Sequence, residues 1–298
     1  MDFRALSVFL SVAETLNFSR SAELLHMSVS AVSRTVQRLE EEAGQPLMER
    51  DRRNVRLTAA GREFLDYARR ALDDWQQMRR KLGKEGELSG EVSLYCSVTA
   101  SHRVLAPVLS AYRARHPAVD IMLHTGDQAD GIGRALSGQD DVAVSGYPDQ
   151  LSSRLEFLPL TDSPMRFCIS ADDCQVRRLA LPAYGELDWD RLPLIVPERG
   201  VTQVMLDDWL ASQGIRPRIY AQVAGHEAIV AMVALGLGVG IAPDLVVEAS
   251  GMQDRVDYLE VDEPLPPLRV GLCSLSQRLR NPLVASFWEV AGETYGVI

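Results

Sequence analysis

The sequence predicts a chain in three parts: a small winged helix-turn-helix, one long helix, and an α/β domain made of two lobes. Three observations lead to this prediction. Before residue 44, apolar residues recur at helical spacing in three short segments. Between residues 59 and 82, apolar residues follow a heptad repeat with no interrupting proline. Beyond residue 90, short apolar strands alternate with helical segments, which is typical of a sheet covered by helices.

The charge of the chain is unevenly distributed. Its 298 residues carry a net charge of −10, which by itself argues against a nucleic-acid partner. Residues 1–90, however, hold 15 basic and 14 acidic side chains, whereas residues 91–298 hold 16 and 27. The excess of acidic residues therefore lies in the second part, and the composition leaves the first part free to contact DNA.

Two helices are expected before the turn of the helix-turn-helix. Residues 3–15 have one apolar face and predict the first helix. A second helix is expected over residues 19–25, with the side-chain oxygens of Asn17 and Ser19 available as N-caps. Ser28 follows at the turn and is expected to cap the third helix.

The third helix, from Ser28 to about Ala43, carries the surface that we expect to contact DNA. Gly44 is placed to end it, as glycine commonly does just past a helix. The apolar residues of its inward stripe are Val29, Val32, Val36 and Leu39. The outward face combines small, polar and basic side chains, which are Ser30, Ala31, Ser33, Arg34, Gln37 and Arg38.

This outward face suits a major groove. Small side chains at the helix start allow the backbone to approach closely, and Arg34 and Gln37 can reach acceptors of guanine or adenine. A hairpin-like segment with several arginines follows and predicts a wing over phosphates or a minor groove. The expected DNA contacts are Ser28, Ser30, Ala31, Ser33, Arg34, Gln37, Arg50, Arg52 and Arg53. A solvated helix face and an ordinary surface loop are the alternatives.

The long helix is expected to start at Thr58, a good N-cap, and to run over residues 59–82. Its apolar seam begins at Gly61 and predicts dimerisation, as a two-fold DNA site requires. The expected dimer contacts are Phe64, Ala68, Ala71, Trp75, Met78 and Leu82. The alternative is a helix that buries this seam within its own domain. The glycine-containing segment that ends at residue 90 indicates a flexible hinge.

Strands and helices alternate through the remainder of the chain. The expected strands are residues 92–97, 120–125, 142–145, 165–170, 194–196, 218–223, 239–242 and 269–274. The expected helices cover residues 105–116, a segment ending at 136, and residues 202–213, 226–235 and 282–291. This order predicts sheets that are mainly parallel, with helices on their faces.

Polar residues follow several of these strands, where ligands of open parallel sheets bind. Hydroxyls and backbone N–H groups at helix starts bind anions, so a small carboxylate is the expected effector. The candidate effector-binding residues are Ser97, Thr99, Ala100, Ser101, Thr125, Gly126, Gly146, Thr202, His226 and Glu227. Plain helix capping is the alternative for each hydroxyl, and a structural role is the alternative for His226.

The sequence lacks the patterns of a catalytic or cofactor site. None of the five histidines lies at metal-ligand spacing, and nucleophile-elbow, phosphate-loop and dinucleotide fingerprints are absent. We therefore expect neither enzyme activity nor a metal or cofactor. Cys168 and Cys174 leave a redox sensor as an alternative. Since neither a signal peptide nor a membrane span is recognisable, a cytoplasmic protein without a membrane partner is expected.

A pattern over the first sixty positions resembles the winged helix-turn-helix of LysR-type transcriptional regulators. It consists of Phe9, Ala13, Phe18, Ser21, Ala22, Leu24, Ser28, Ser33, Arg34, Leu39, Glu40, Gly44, Pro46, Leu47, Arg50, Leu57, Thr58 and Gly61. The family often has Gln-Pro at Val29-Ser30, so base preference could differ here. It often has Leu-Phe at Leu47-Met48, which is a mild exchange of core side chains.

The resemblance implies a regulator that binds a two-fold site on double-stranded DNA as a homodimer or homotetramer and contacts RNA polymerase. It also implies an effector domain similar to periplasmic binding proteins, whose first lobe is closed by a returning segment at the end of the chain. The expected boundaries are residues 1–58 for the DNA-binding domain, 59–90 for linker helix and hinge, and 91–298 for the effector domain. Lobe I is expected to comprise residues 91–162 and 268–298, and lobe II residues 163–267.

A narrower resemblance concerns residues 96–100, 125–130 and 225–236, which look like those of LysR-type activators of branched-chain amino acid synthesis. It implies that the effector is acetolactate or acetohydroxybutyrate, with His226 or Glu227 paired to its tertiary hydroxyl. A LysR-type regulator of another pathway, sensing a different small carboxylate, is the alternative.

Overall fold

The computed structural model describes residues 2–25, 27–50, 55–81, 88–181 and 187–298. The chain divides into two units, Met1–Gly86 and Glu87–Ile298, and each is described by itself. Arg52, Arg53 and Leu82, which we expected to contact DNA or a second protomer, lie outside the described residues.

The first unit is a winged helix-turn-helix followed by a long helix, as the sequence predicts. Its elements are α1 (Phe3–Thr15), α2 (Phe18–Leu24), α3 (Val29–Ala43), β1 (Met48–Arg50), β2 (Val55–Leu57) and α4 (Ala59–Lys81). The two short strands pair in antiparallel fashion and form the base of the wing. The predicted caps are also observed, since Ser28 accepts from the Ala31 amide and Gly44 adopts the left-handed conformation at φ 69°.

The core of this unit differs from the prediction at α3 and α4. Val29 is 46% exposed and does not belong to the inward stripe of α3, because it occupies the first position of the helix. Phe64 packs edge-on against Phe9 of α1, with ring centroids 5.1 Å apart. Ala68 has no exposed surface, so its prediction as a dimer contact is wrong. The N-terminal part of the apolar seam of α4, which includes Phe64 and Ala68, thus packs within its own domain. This is the alternative that the sequence left open.

The second unit consists of two lobes, each built on one five-stranded sheet. In chain order its first elements are β3 (Gly90–Cys96), α5 (Val98–Ala100), a π turn (Ser101–Leu105), α6 (Ala106–Arg115), β4 (Val119–Thr125), a 3-10 turn (Gln128–Asp130), α7 (Gly131–Ser137), β5 (Val142–Gly146) and β6 (Leu155–Ser163). The next are β7 (Met165–Ser170), α8 (Gln175–Ala180), β8 (Pro193–Pro197), α9 (Val201–Ser212), β9 (Arg218–Val223), α10 (His226–Ala234), β10 (Val239–Pro243), α11 (Asp244–Ala249) and β11 (Val256–Leu259). The last are β12 (Leu268–Leu275) and α12 (Pro282–Tyr295).

Four of the five strands in each sheet run in the same direction, as the prediction of mainly parallel sheets expects, and one strand in each sheet runs the opposite way. Lobe I has the strand order β4-β3-β5-β12-β6, and β12 is antiparallel to both of its neighbours. Lobe II has the order β11-β7-β10-β8-β9, and β7 is antiparallel to both β10 and β11. The chain crosses from lobe I to lobe II directly between β6 and β7 and returns before β12. These two crossings introduce the antiparallel strands.

The lobe boundary lies slightly beyond the expected one, because β6 extends to Ser163. The apolar core is covered by helices: α12 packs on lobe I beside α6, where the Tyr112 hydroxyl donates to the Leu283 carbonyl at 2.9 Å. Within the described part of the chain, no helix combines the length and apolar character needed to cross a bilayer.

Candidate functional site

The outward face of α3 begins at its N-terminal turn. The Ser28 hydroxyl accepts from the Ala31 amide at 3.2 Å and fixes the start of the helix. Ser30, Arg34 and Gln37 are exposed on successive turns. Behind them Val32, Val36 and Leu39 are fully buried and hold the helix against the domain. The small and basic face predicted from the sequence is therefore presented to solvent by a rigid helix.

The wing is attached to α3 through Glu40, which the sequence analysis did not single out as a functional residue. One carboxylate oxygen of Glu40 accepts from the amides of Leu47 and Met48, each at 2.9 Å. Thr58 adds a second attachment, because its hydroxyl donates to the Pro46 carbonyl at 2.7 Å and accepts from the Gly61 amide at 2.8 Å. The signal available in the sequence was the Leu39-Glu40 pair within the resemblance to LysR regulators.

The predicted DNA contacts on α3 lie within its cap and first three turns. Ser28, Ser30, Arg34 and Gln37 are exposed, and Ala31 and Ser33 are half-buried: together these are the six contacts predicted for this helix. Arg50 ends β1, and its side chain is not described. Their contact with DNA stays a prediction.

A small cleft lies between the two lobes of the second unit. The residues that line it are Ser97, Ala100, Val104, Gln128, Val144, Ser145, Gly225, His226, Glu227, Pro243, Leu245, Val246, Leu268 and Val270. Polar groups from the ends of β3 and the start of α10 face apolar side chains from β5, α11 and β12. Such a combination of an apolar wall and a few polar groups is usual for small-molecule sites.

A hydrogen bond between Thr99 and Glu227 joins the two lobes beside this cleft. The Thr99 hydroxyl donates to Oε1 of Glu227 at 2.6 Å, and the Thr99 amide lies 3.3 Å from the same oxygen. Thr99 is only 4% exposed, so these donors are largely shielded from water. The Ser97 hydroxyl accepts from the Ala100 amide at 3.2 Å and caps the turn that carries Thr99.

His226 and Thr202 form a buried pair within lobe II. Nε2 of His226 lies 3.1 Å from the Thr202 hydroxyl, and the two residues are 4% and 1% exposed. Burial lowers the pKa of His226 to about 4, even though the nearby carboxylates of Glu227 and Asp127 act in the opposite direction. The imidazole is therefore neutral at physiological pH and can donate or accept a hydrogen bond.

Arg199 forms a second connection between the lobes, which the sequence analysis missed. Its guanidinium pairs with Asp130 and lies 3.1 Å from a carboxylate oxygen of Asp127. These contacts lower the pKa of Asp130, chiefly through the hydrogen bond from Arg199. The adjacent Gly200 has φ 90°, and an added Cβ would lie 2.8 Å from the Cβ of Ala129. A glycine is thus required where lobe II closes on the Gln128–Asp130 turn.

The cleft brings together six of the ten predicted effector-binding residues. Four of them line it, namely Ser97, Ala100, His226 and Glu227, while Thr99 and Thr202 are each hydrogen-bonded to a lining residue. The other four, Ser101, Thr125, Gly126 and Gly146, are not among the lining residues.

Local contacts explain these four exceptions. The Ser101 hydroxyl donates to the Val98 carbonyl at 2.6 Å, and Thr125 is exposed at the end of the edge strand β4. Gly126 lies against the Tyr95 hydroxyl, and Gly146 lies against the side chain of Leu268. Glycine in these two places serves close packing, which a sequence pattern does not distinguish from ligand contact.

Most of the apolar wall of the cleft was not predicted from the sequence. Leu245 and Val246 belong to α11, which was not predicted, and Leu268 and Val270 belong to the returning strand. Gln128 lies inside the segment 125–130 that carries the narrower resemblance, so a signal for it existed.

The cysteines are free thiols, and most of them are shielded. Burial raises the pKa values of Cys96, Cys168 and Cys273 to about 12. Redox sensing needs an accessible thiolate, so these three are poorly suited to it. Cys174 is half-buried, with its sulfur 3.4 Å from the Arg177 amide at the start of α8. In the described part of the chain, no group of three His, Cys, Asp or Glu side chains is arranged to hold a metal.

Comparison with known proteins accounts for nearly the whole chain. Residues 3–62 match the bacterial regulatory helix-turn-helix proteins of the lysR family, and residues 85–296 match the LysR substrate binding domain. The HTH-type transcriptional activator IlvY of Salmonella typhimurium is 40% identical, over 97% of this chain and 99% of its own length.

Two solved structures share the fold at lower identity. A full-length OxyR variant from Pseudomonas aeruginosa has a TM-score of 0.71 at 20% identity, covering 99% of this chain and 94% of its own. Full-length CbnR in complex with its target DNA has a TM-score of 0.62 at 23% identity, covering 99% of this chain and 100% of its own. The two family matches and the 40% identity to IlvY show that the chain belongs to the LysR family of DNA-binding transcriptional regulators, and these relatives are regulators rather than enzymes.

Proposed function

We propose that this regulator activates branched-chain amino acid synthesis in response to acetolactate or acetohydroxybutyrate bound between its two lobes. Similarity to the IlvY activator over almost the full length of both chains supports the pathway. The observation that carries the effector class is the inter-lobe cleft, where buried hydroxyl donors face an apolar wall. The location that accompanies this function is the cytoplasm, where DNA and both metabolites are found.

The chemistry of the cleft matches that of an acetohydroxy acid. Such a molecule carries a carboxylate beside a tertiary hydroxyl and a ketone, together with short alkyl groups. Ser97 and Thr99 supply hydroxyls for the carboxylate, and neutral His226 can bond the hydroxyl or ketone oxygen. Val246 and Val270 line the apolar side, where the alkyl groups find contacts.

On DNA, the protein acts as a homodimer or as a pair of dimers. The C-terminal part of α4 offers a contact surface, because Trp75 is 40% exposed and Met78 is 48% exposed. Two recognition helices related by a two-fold axis then read a two-fold operator. RNA polymerase is the further partner that activation requires. Effector binding changes the lobe arrangement, and the DNA-binding heads respond to that change.

The effector half of this proposal is tested by calorimetric titration of the full-length protein. The ligands are acetolactate, acetohydroxybutyrate, valine, leucine, isoleucine and pyruvate. We expect binding of the two acetohydroxy acids and an increase of the unfolding temperature by the same two compounds, since a ligand of the folded state stabilises it. Binding of one of the other compounds, but of neither acetohydroxy acid, would overturn the effector assignment.

The DNA half is tested with the promoter region of the acetohydroxy acid isomeroreductase gene from the source genome. Arg34→Ala and Gln37→Ala are each expected to weaken binding by about 1–3 kcal/mol and to relax specificity at one base pair. Arg113→Ala, which removes an exposed arginine of α6, is the matched control and should leave binding unchanged. If both α3 variants bound the promoter as tightly as wild type, α3 would be excluded as the helix that contacts the bases.

A further inference from the structure

Glu227 occupies an unusual position for an acidic residue at the entrance of a carboxylate site. It belongs to the first turn of α10 in lobe II, yet its carboxylate reaches Thr99 in lobe I. Both donors of Thr99, the hydroxyl at 2.6 Å and the amide at 3.3 Å, are directed at the same oxygen, Oε1. The protein's own carboxylate therefore uses the hydrogen-bond donors that a bound carboxylate would need.

The surroundings offer an anion little other attraction. Among the described residues that line the cleft, none is a lysine or arginine, and Glu227 is the acidic one. His226 is neutral because burial lowers its pKa to about 4. Arg199, at the edge of the neighbouring Gln128–Asp130 turn, is engaged by Asp127 and Asp130. An entering carboxylate thus depends on neutral donors and meets the negative charge of Glu227.

The two carboxylates cannot share the hydroxyl of Thr99, which is the closer of its two donors to Glu227. A threonine hydroxyl has a single proton, which it donates to one acceptor at a time. Two like charges a few ångströms apart inside a shielded site also repel each other strongly. Binding of an anionic effector to the Thr99 hydroxyl therefore requires Glu227 to release that hydroxyl.

We propose that Glu227 acts as an internal competitor of the effector, occupying the place of the effector carboxylate in the unliganded protein and leaving it when an anionic effector binds. This inference rests on the proposed function, because it takes the inter-lobe cleft as the effector site. Glu227 thereby sets the affinity for anionic ligands. Since its bond to Thr99 joins the lobes, its displacement also exchanges a contact between lobes for a contact with the effector.

The competition is tested by replacing Glu227 with an uncharged residue of the same shape. Glu227→Gln keeps an oxygen that can accept from Thr99 but removes the negative charge. Full-length wild-type and variant protein are titrated by calorimetry with acetolactate and with acetoin, which lacks the carboxylate. We expect the variant to bind acetolactate roughly tenfold more tightly, equivalent to about 1.4 kcal/mol, with no comparable gain for acetoin.

Two further variants sharpen the comparison. Glu248→Gln alters another carboxylate that reaches across the lobes, to Arg103, outside the cleft lining, and should leave acetolactate binding unchanged. Thr99→Val removes the shared hydroxyl and should weaken acetolactate binding roughly tenfold or more, as expected for a hydrogen bond to a charged group. If Glu227→Gln bound acetolactate no more tightly than wild type, the proposed competition would be overturned. Glu227 would then be assigned a direct contact with the ligand.

The same titrations separate this inference from the proposed function. If pyruvate or another carboxylate binds instead of acetolactate, and binds more tightly to Glu227→Gln, the effector assignment fails while the competition stands. If acetolactate binds wild type but gains nothing from Glu227→Gln, the competition fails while the effector assignment stands. If no carboxylate binds either protein, both are wrong.

Discussion

At the scale of single residues, burial determines the protonation state of His226. His226 lies at the cleft, but it is 4% exposed and its Nε2 lies 3.1 Å from the hydroxyl of Thr202. Its pKa falls from 6.5 to about 4 because the charged form would lose its hydration. Protonation of this imidazole is therefore favoured in the unfolded chain and opposed in the folded one.

The stability of the protein should consequently depend on pH through His226. Because the folded-state pKa lies below the unfolded value of 6.5, its contribution is complete above pH 6.5 and is lost as the pH falls toward 4. Between pH 6.5 and 5 the expected loss is about 2 kcal/mol, measured as the change in unfolding free energy in urea. His226→Gln should show a smaller loss by that amount, whereas His102→Gln, at an exposed position, should follow wild type. If the unfolding free energies of wild type and His226→Gln changed equally with pH, the lowered pKa of His226 would be contradicted.

Glu40 acts through its hydrogen bonds, since one of its oxygens accepts from two wing amides. Glu40→Ala leaves the amides of Leu47 and Met48 without this acceptor and should lower the unfolding free energy by about 1–3 kcal/mol. Glu41→Ala, which changes an exposed neighbour on the same helix, serves as control and should have little effect. Equal stability of the two variants in thermal or urea unfolding would show that the wing is anchored elsewhere.

At the scale of elements, helix boundaries were well predicted and helix faces less so. The bounds of α1, α3 and α4 follow from local periodicity and caps, and these signals are contained in a few neighbouring residues. Which face of α4 is buried depends on the element that packs against it. Here Phe64 packs against Phe9 of α1. A heptad repeat cannot tell a partner within the domain from a second protomer.

The exposed end of α4 is where a second protomer is expected to pack. Met78→Lys places a charge on an apolar position that is 48% exposed and should shift the protein toward the monomer. Sedimentation velocity over a range of protein concentrations measures this shift. Asp66→Lys introduces the same side chain at an exposed position elsewhere on the helix and should preserve the wild-type association. If Met78→Lys associates like wild type, the dimer contact does not include this end of α4.

Strand positions and the shared direction of most strands were predicted, but the one antiparallel strand in each sheet and two whole strands were not. β6 carries Pro159 and Asp162, which weaken an alternating pattern, and β11 is only four residues long. The direction of a strand depends on how the chain returns to the sheet, and no residue pattern encodes that. The antiparallel placement of β7 and β12 therefore appeared only in the structure.

In the whole molecule, the contacts that shape the candidate site join residues far apart in the sequence. Thr99 and Glu227 are 128 positions apart, and Arg199 and Asp130 are 69 positions apart. Polar residues at strand ends could be predicted as a group, because strand ends converge in this class of domain. Their pairing across the cleft could not, since it depends on how closely two separately built lobes approach each other.

Removal of the Arg199 contact should loosen the turn that carries Gln128. Arg199→Ala leaves Asp127 and Asp130 without this cation, and we expect faster hydrogen exchange at the amides of residues 127–131. Arg178→Ala breaks an exposed ion pair with Asp173 inside lobe II and is the matched control. Hydrogen exchange is measured by mass spectrometry. If these amides exchanged equally slowly in Arg199→Ala and wild type, the contact at Gly200 would be sufficient to hold the turn.

The position of β12 has a consequence for the order in which the protein is made. Within the lobe I sheet, β12 separates β5 from β6 and pairs with both, yet it leaves the ribosome after all five strands of lobe II. The strands of lobe II, β7 to β11, are continuous in the sequence and are synthesised earlier, so lobe II can complete its sheet while lobe I still lacks a strand. A chain terminated before residue 268 therefore retains its DNA-reading helices but has no complete cleft. Such a fragment is expected to bind DNA without a response to any ligand of that cleft.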